Sequence, residues 1–264
     1  MRLDIGRSAL AEKGPVAVID NPGAVKQNVH HPDAGFVMAP APTPILPETA
    51  NPLWSLVREA SLLLPGAVLI GGLAVEAHTT SAQVGRSWVT VWSHDIDLMA
   101  STDDIARAQR DEEVVRNLRL RKREIRKPQA DVDVYVDREH GLCVPYPEVW
   151  ARRVVWEGLS IACVGHLIAL KTAALLDRGA SGKGAKDAED LARLLLLAGP
   201  GDPALARPWM APEQVSVIAR VAGDSRMGAR LAGHPGPEAA RCRRALVQAA
   251  AAYRIPSRDS SRRP

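Results

Sequence analysis

Three acidic residues stand out by type and spacing. Asp95 and Asp97 lie in the stretch Ser-His-Asp-Ile-Asp-Leu, and Asp133 lies in Val-Asp-Val-Tyr-Val. Two carboxylates two residues apart on a strand leave the same face. Like charges that close require a cation between them, and hard oxygen donors suit Mg²⁺, which keeps several waters and takes phosphate oxygens from a substrate. Asp133, on a neighbouring strand, can add a third carboxylate or orient an attacking hydroxyl. Upstream, Gly71-Gly72 follows an apolar run at 67–70 and opens a helical pattern. Backbone N–H groups at such a turn approach an anion closely, and the helix dipole favours negative charge there. A phosphate cradle facing a carboxylate cluster is the anatomy of metal-assisted phosphoryl transfer. Taken singly, each piece has a plainer reading: solvated acids at a strand end, a simple glycine turn, or, for Asp131 and Asp133, the wet face of an edge strand. Order and spacing together favour the chemical reading. They predict that the Asp95, Asp97 and Asp133 carboxyl groups meet in one cleft faced by the Gly71-Gly72 turn.

The elements that must hold these residues follow from pattern. Asn51-Pro52 is a helix start, and Leu53, Leu56, Val57, Ala60 and Leu64 recur at helical spacing after it. Residues 67–70 read as a short buried strand, residues 94–100 as a second, and the alternating Asp and apolar residues of 130–136 as a third with one polar face. Ser101-Thr102-Asp103-Asp104 resembles a capping box and predicts a long charged helix reaching Lys127, stopped by Pro128. Residues 154–164 read as two strands joined at Glu157-Gly158, and from Gly165 onward the chain reads as helices, with a loop at 179–184 after the first. The expected class is therefore α+β: a mixed β-sheet flanked by helices, followed by a C-terminal helical domain. The expected division is a Pro-rich extended arm at 1–50, a catalytic domain at 51–164, a helical domain at 165–255 and a basic tail at 256–264.

Composition sets the outer bounds. Of 264 residues, 46% are hydrophobic and 24% charged, which excludes a chain disordered throughout, a collagen and a simple coiled coil. Lys and Arg exceed Asp and Glu by 34 − 30 = 4, too small an excess to prove a nucleic-acid partner. The excess is uneven: residues 205–264 hold 11 Arg against 4 acids, and residues 107–127 hold nine basic residues against four acidic ones. Arg-rich segments of this kind track a phosphate backbone or form a solvated surface. Cys143, Cys163 and Cys242 are far apart and form no CxxC pair, so neither a zinc site nor a redox motif is suggested. The N-terminal residues lack the apolar run of a signal peptide, and the longest uncharged stretch, 61–75, is too short to span a bilayer. The expectation is a cytoplasmic protein with no membrane partner.

The stretches VLIGGLAVEAH, SHDIDL and VDVYV resemble the DNA polymerase β-type nucleotidyltransferase superfamily, whose signature is Gly-Gly or Gly-Ser, then Asp-x-Asp, then a third Asp. The downstream segment is similar to the AbiEii-like, or minimal, nucleotidyltransferases, in which a Leu-x-x-x-Lys helix precedes a basic loop and a Lys-Asp-x-x-Asp motif. Here those positions are Leu167, Lys171, Lys186, Asp187 and Asp190. The resemblance covers about residues 51–198. It implies transfer of a nucleotide from an NTP to an acceptor with release of pyrophosphate. It implies two Mg²⁺ ions at Asp95, Asp97 and Asp133, and nucleotide contacts at Gly71, Gly72, Ser93, Lys171 and Lys186. Surface lysines paired with Asp187 or Asp190 are the alternative for Lys171 and Lys186. The subgroup implies a toxin-type enzyme acting on tRNA or another RNA, with a cognate antitoxin protein. A small-molecule acceptor, as in antibiotic nucleotidyltransferases, suits the same residues, and a catalytically silent nucleotide- or partner-binding protein is the rival. Related sequences often carry Arg four residues before the first Asp of the pair, where this chain has Val91, with Arg86 nearby as a stand-in. His94 is expected beside the metal site without being a ligand, and His78 as a packing residue.

Overall fold

Residue 70 is the last of a three-residue strand whose every side chain is buried, and the next residue has the backbone of a glycine. That junction organises the catalytic half. The computed structural model describes residues 51–82, 93–119, 121–179 and 181–254. The expected N-terminal arm, the expected basic tail, Arg86 and Val91 lie outside the described residues.

Helix α1 (Leu53–Leu63) leads to β1 (Val68–Ile70) and α2 (Gly71–Ala82). Strand β2 (Ile96–Ala100), helix α3 (Thr102–Ala108), strands β3 (Val114–Asn117), β4 (Lys122–Ile125) and β5 (Val132–Val136), helix α4 (Tyr146–Ala151) and strands β6 (Val154–Trp156) and β7 (Leu159–Ile161) follow. The strands form one mixed sheet in the order β3-β4-β5-β2-β1-β7-β6. β2 runs parallel to β5 and β1 parallel to β7; the remaining neighbours are antiparallel. The rest is helical: α5 (Val164–Arg178), α6 (Gly182–Leu197), α7 (Asp202–Ala206), a 3₁₀ turn (Arg207–Trp209), α8 (Pro212–Gly223), α9 (Met227–Ala232) and α10 (Pro237–Ala251). The class is α+β, a seven-stranded mixed sheet flanked by helices.

Local chemistry accounts for most boundaries. The Asn51 side chain accepts a hydrogen bond from the Leu53 N–H at 3.0 Å, so it caps α1 with Pro52 in the first turn. Ser101 caps α3 by accepting from the Asp104 N–H at 3.1 Å. Glu157 and Gly158 both adopt positive φ, 46° and 80°, which matches the right-handed twist of the β6–β7 hairpin. Ser181 caps α6 through the Gly184 N–H at 3.1 Å, so the segment 182–184, expected as loop, forms its first turn.

One expected element is different. In place of a helix reaching Lys127, α3 ends at Ala108 and the chain forms the β3–β4 hairpin. Val114 and Val115 favour extended backbone, and Ile125 is fully buried opposite Val132 of β5. A tertiary pairing thus outweighs the helical propensity of the intervening Arg, Lys and Glu residues. Sheet and helices share a single hydrophobic cluster: Leu69, Leu98 and Val134 belong to the same core as Leu167, Leu191 and Leu246. No described helix is long and apolar enough to cross a membrane.

Candidate active site

β5 alternates buried and partly exposed residues, so Val132, Val134 and Val136 face the core while Asp133 and Tyr135 face the other way. In the parallel pairing of β2 with β5, Asp97 is aligned with Asp133. Their side chains therefore emerge side by side from one face. Asp95 sits one residue ahead of β2 and is exposed. All three acids line one cleft of about 480 Å³, together with Gly72, Ser93, His94, Lys183 and Lys186.

β1 sets the opposite wall. Ile70 is opposite Asp97 in the antiparallel β1–β2 pair, so the following residue, Gly71, is carried directly over the Asp97 carboxylate. Gly71 has φ +71°, and a Cβ there would collide with Asp97 Oδ2. A Cβ on Gly72 would lie 2.5 Å from Ser93 Oγ and 3.2 Å from Lys186 Nζ. Both glycines are needed because side chains of the site occupy the space next to them.

Ser93 is buried and held from three sides. Its hydroxyl donates to the Asp95 carbonyl at 3.2 Å and accepts from Lys186 Nζ at 3.3 Å. Its N–H lies 3.4 Å from Glu76 Oε2, and its carbonyl accepts from Asn51 Nδ2 at 3.2 Å. Glu76 is the hub behind it: this buried carboxylate also accepts from Asn51 Nδ2 at 3.1 Å and Trp54 Nε1 at 3.2 Å. Sequence reasoning missed Glu76, because a single acid on an apolar helix carries no signature until its three donors are known.

The cleft carries both signs: Asp95, Asp97, Asp133 and Asp187 line it together with Lys122, Lys171, Arg178, Lys183 and Lys186. Burial, and then the neighbouring Asp133 and Asp95 charges, push the Asp97 carboxyl up to about 6, against the opposing pull of Lys171 and Arg178. Burial also raises Asp133, although Lys122 opposes it. Lys122 Nζ lies 2.5 Å from Asp133 Oδ2 and 3.3 Å from Glu124. Burial works against its ammonium form, but the Asp133 contact prevails and raises its pKa. Lys183 reaches Asp95 at 3.5 Å. Lys122 was not foreseen, because its approach depends on the hairpin that replaced the expected helix.

Lys171 lines the inner part of the cleft near Asp97. It is buried, and its Nζ donates to Asp187 Oδ1 at 2.9 Å and Asp190 Oδ2 at 2.8 Å. The ion pairs expected as the alternative for this lysine are present, but inside the protein and not on a helix surface. Arg178 Nη1 takes the second Asp187 oxygen at 2.7 Å. Lys186, in contrast, faces Ser93 and Gly72. His94 lines the cleft, and His78 Nε2 pairs with the Ala162 carbonyl at 2.9 Å. Among the described residues, no three His, Cys, Asp or Glu side chains stand close enough to hold a metal ion as arranged here. The donor chemistry still fits a hard divalent cation: Asp95, Asp97 and Asp133 bring carboxylate oxygens to one cleft.

No family model matches the chain, and no curated protein matches its sequence. Among solved structures it is similar to JHP933 from Helicobacter pylori, with 14% identity, a TM-score of 0.42, and coverage of 75% of this chain and 90% of that one. It is also similar to an antigenic nucleotidyltransferase-like protein from Paracoccidioides brasiliensis, with 16% identity, a TM-score of 0.43, and coverage of 73% and 92%.

Proposed function

We propose that the chain is a Mg²⁺-dependent nucleotidyltransferase that moves a nucleotide from an NTP to an acceptor. The observation that carries this reading is the alignment of Asp97 with Asp133 on adjacent parallel strands, with Gly71 folded over Asp97. In the reaction, an acceptor oxygen attacks the α-phosphorus, the bond to the bridging oxygen breaks, and pyrophosphate leaves. Gly72, Ser93 and Lys186 provide an N–H, a hydroxyl and an ammonium on the side where the triphosphate would lie. Asp133 orients the acceptor hydroxyl and receives its proton. Asp95, Asp97 and Asp133 would hold Mg²⁺, which would supply countercharge for the triphosphate and the leaving pyrophosphate. For Asp133 to act, Lys122 must leave it, and a phosphate oxygen is the natural new partner for that ammonium.

The subgroup resemblance extends the proposal to tRNA or another RNA as acceptor, a cognate antitoxin protein and a cytoplasmic setting. Incubation with labelled NTPs, Mg²⁺ and total RNA tests it. Label transfer that disappears in Asp95→Ala and Asp97→Ala is the expected result. Transfer to a small molecule and not to RNA would assign an antibiotic-type acceptor instead. A second reading, a silent protein that binds a nucleotide or a partner, is favoured by the Lys122–Asp133 contact, which satisfies the third carboxylate internally. Nucleotide binding with no acceptor modified would select it.

A further inference from the structure

Most groups that line the cleft are fixed by regular elements. Asp97 and Asp133 are locked by strand pairing, Gly72 belongs to α2 and Lys186 to α6. Ser93 is different. It precedes β2, which begins at Ile96, and it lies outside every helix and strand. A buried backbone needs partners for its N–H and carbonyl. Both groups of Ser93 go to side chains: the N–H lies 3.4 Å from Glu76 Oε2, and the carbonyl accepts from Asn51 Nδ2 at 3.2 Å. Helix α2 arranges this. Gly72 and Glu76 stand one turn apart on the same face. Gly72 leaves room for the hydroxyl, because a Cβ there would lie 2.5 Å from Ser93 Oγ, and Glu76 meets the N–H of the same residue.

We propose that Glu76 is a positioning residue for the anion site: through Ser93 it sets where the triphosphate is gripped, without touching the ligand. The inference rests on the transferase reading above and adds a residue to it. Glu76 is 8% exposed and is not part of the cleft lining. Among the described residues it forms no ion pair, and its carboxylate is met by neutral donors on Asn51, Trp54 and Ser93. An acid buried without a cation costs free energy that an apolar side chain on α2 would not. What the acid gains is geometry. A carboxylate accepts from all three N–H groups and presents no donor against any of them. It thereby fastens Ser93 to the first turn of α1 and to α2, where the sheet supplies no ladder bond.

A double-mutant cycle on the full chain tests this, read by calorimetry of inorganic tripolyphosphate in Mg²⁺ buffer. Ser93→Ala removes the hydroxyl, keeps the backbone and weakens binding about tenfold. Glu76→Ala weakens it by a comparable factor alone, and by less than about twofold on top of Ser93→Ala, since its effect runs through a hydroxyl already gone. Asn51→Ser is the milder companion. Its hydroxyl still caps α1, while the amide that reaches Glu76 and Ser93 is lost. It follows the same rule and supplies the comparison where Glu76→Ala does not fold. Losses that are equal with and without Ser93→Ala report a general loosening of the fold and overturn the positioning role while sparing the transferase reading. Unchanged binding in these variants, or in Ser93→Ala, overturns it as well. A wild type that binds no tripolyphosphate overturns both readings.

Discussion

Asp97 is held as a carboxylate in a place that disfavours carboxylates. Its folded pKa of about 6 exceeds the ordinary 3.8, so between those values the folded protein keeps a proton that the unfolded chain has released. The contribution of Asp97 to stability is therefore greatest below about pH 4, falls as pH rises through about 6, and stays lower above it. Asp97→Asn removes this dependence: we expect a higher melting temperature at pH 7.5, a flatter pH profile by calorimetry, and no nucleotide transfer. Added Mg²⁺ should stabilise the wild type at pH 7.5 and have little effect on the variant. Gly71 is the counterpart on the backbone. Gly71→Ala combines a strained positive φ, worth about 1–3 kcal/mol, with displacement of Asp97, so stability and transfer fall together. An unchanged melting temperature in that variant would mean that the turn relaxes freely.

Helices α5 and α6 meet through a buried polar network, with Lys171 between Asp187 and Asp190 and Arg193 3.4 Å from Asp190. Removing Lys171 leaves two buried acids without their shared cation. Lys171→Met should cost about 3–5 kcal/mol in denaturant unfolding, and the triple variant with Asp187→Asn and Asp190→Asn should recover much of that loss. Apart from the first turn of α6, these helices were legible in the sequence because apolar spacing and the glycine stop agree there. So were β1, β2, β5 and the β6–β7 hairpin, since alternation in residues 130–136 and the Glu157-Gly158 turn are strong local signals. The β3–β4 hairpin was not legible. Its apolar signal is little more than Val114, Val115 and Ile125 within a charged run, and its stability depends on pairing with β5. The loss carried into the site: Glu124 opposes Asp133 across β4 and β5, and Lys122, on the same face, reaches Asp133 only once that register exists. Glu76 escaped for a related reason, because its donors come from residues 17 to 25 positions away.

At the scale of the whole molecule, the expected boundary at 164–165 separates sheet from helices in sequence but not in packing. One hydrophobic cluster runs through both, so heating should give a single transition for residues 51–254, and limited proteolysis should yield no stable fragment cut near residue 164. The hairpin carries Arg116, Arg119 and Arg121 exposed near its tip, next to Lys122 at the cleft. If the acceptor is RNA, replacing these three with Ala should flatten the dependence of log affinity on log salt by roughly 2. The start of the described chain has a consequence of its own. Asn51 is fastened both to the Glu76 carboxylate and to the Ser93 carbonyl. Loss of the Asn51 amide would free the Glu76 carboxylate and the Ser93 carbonyl at one stroke.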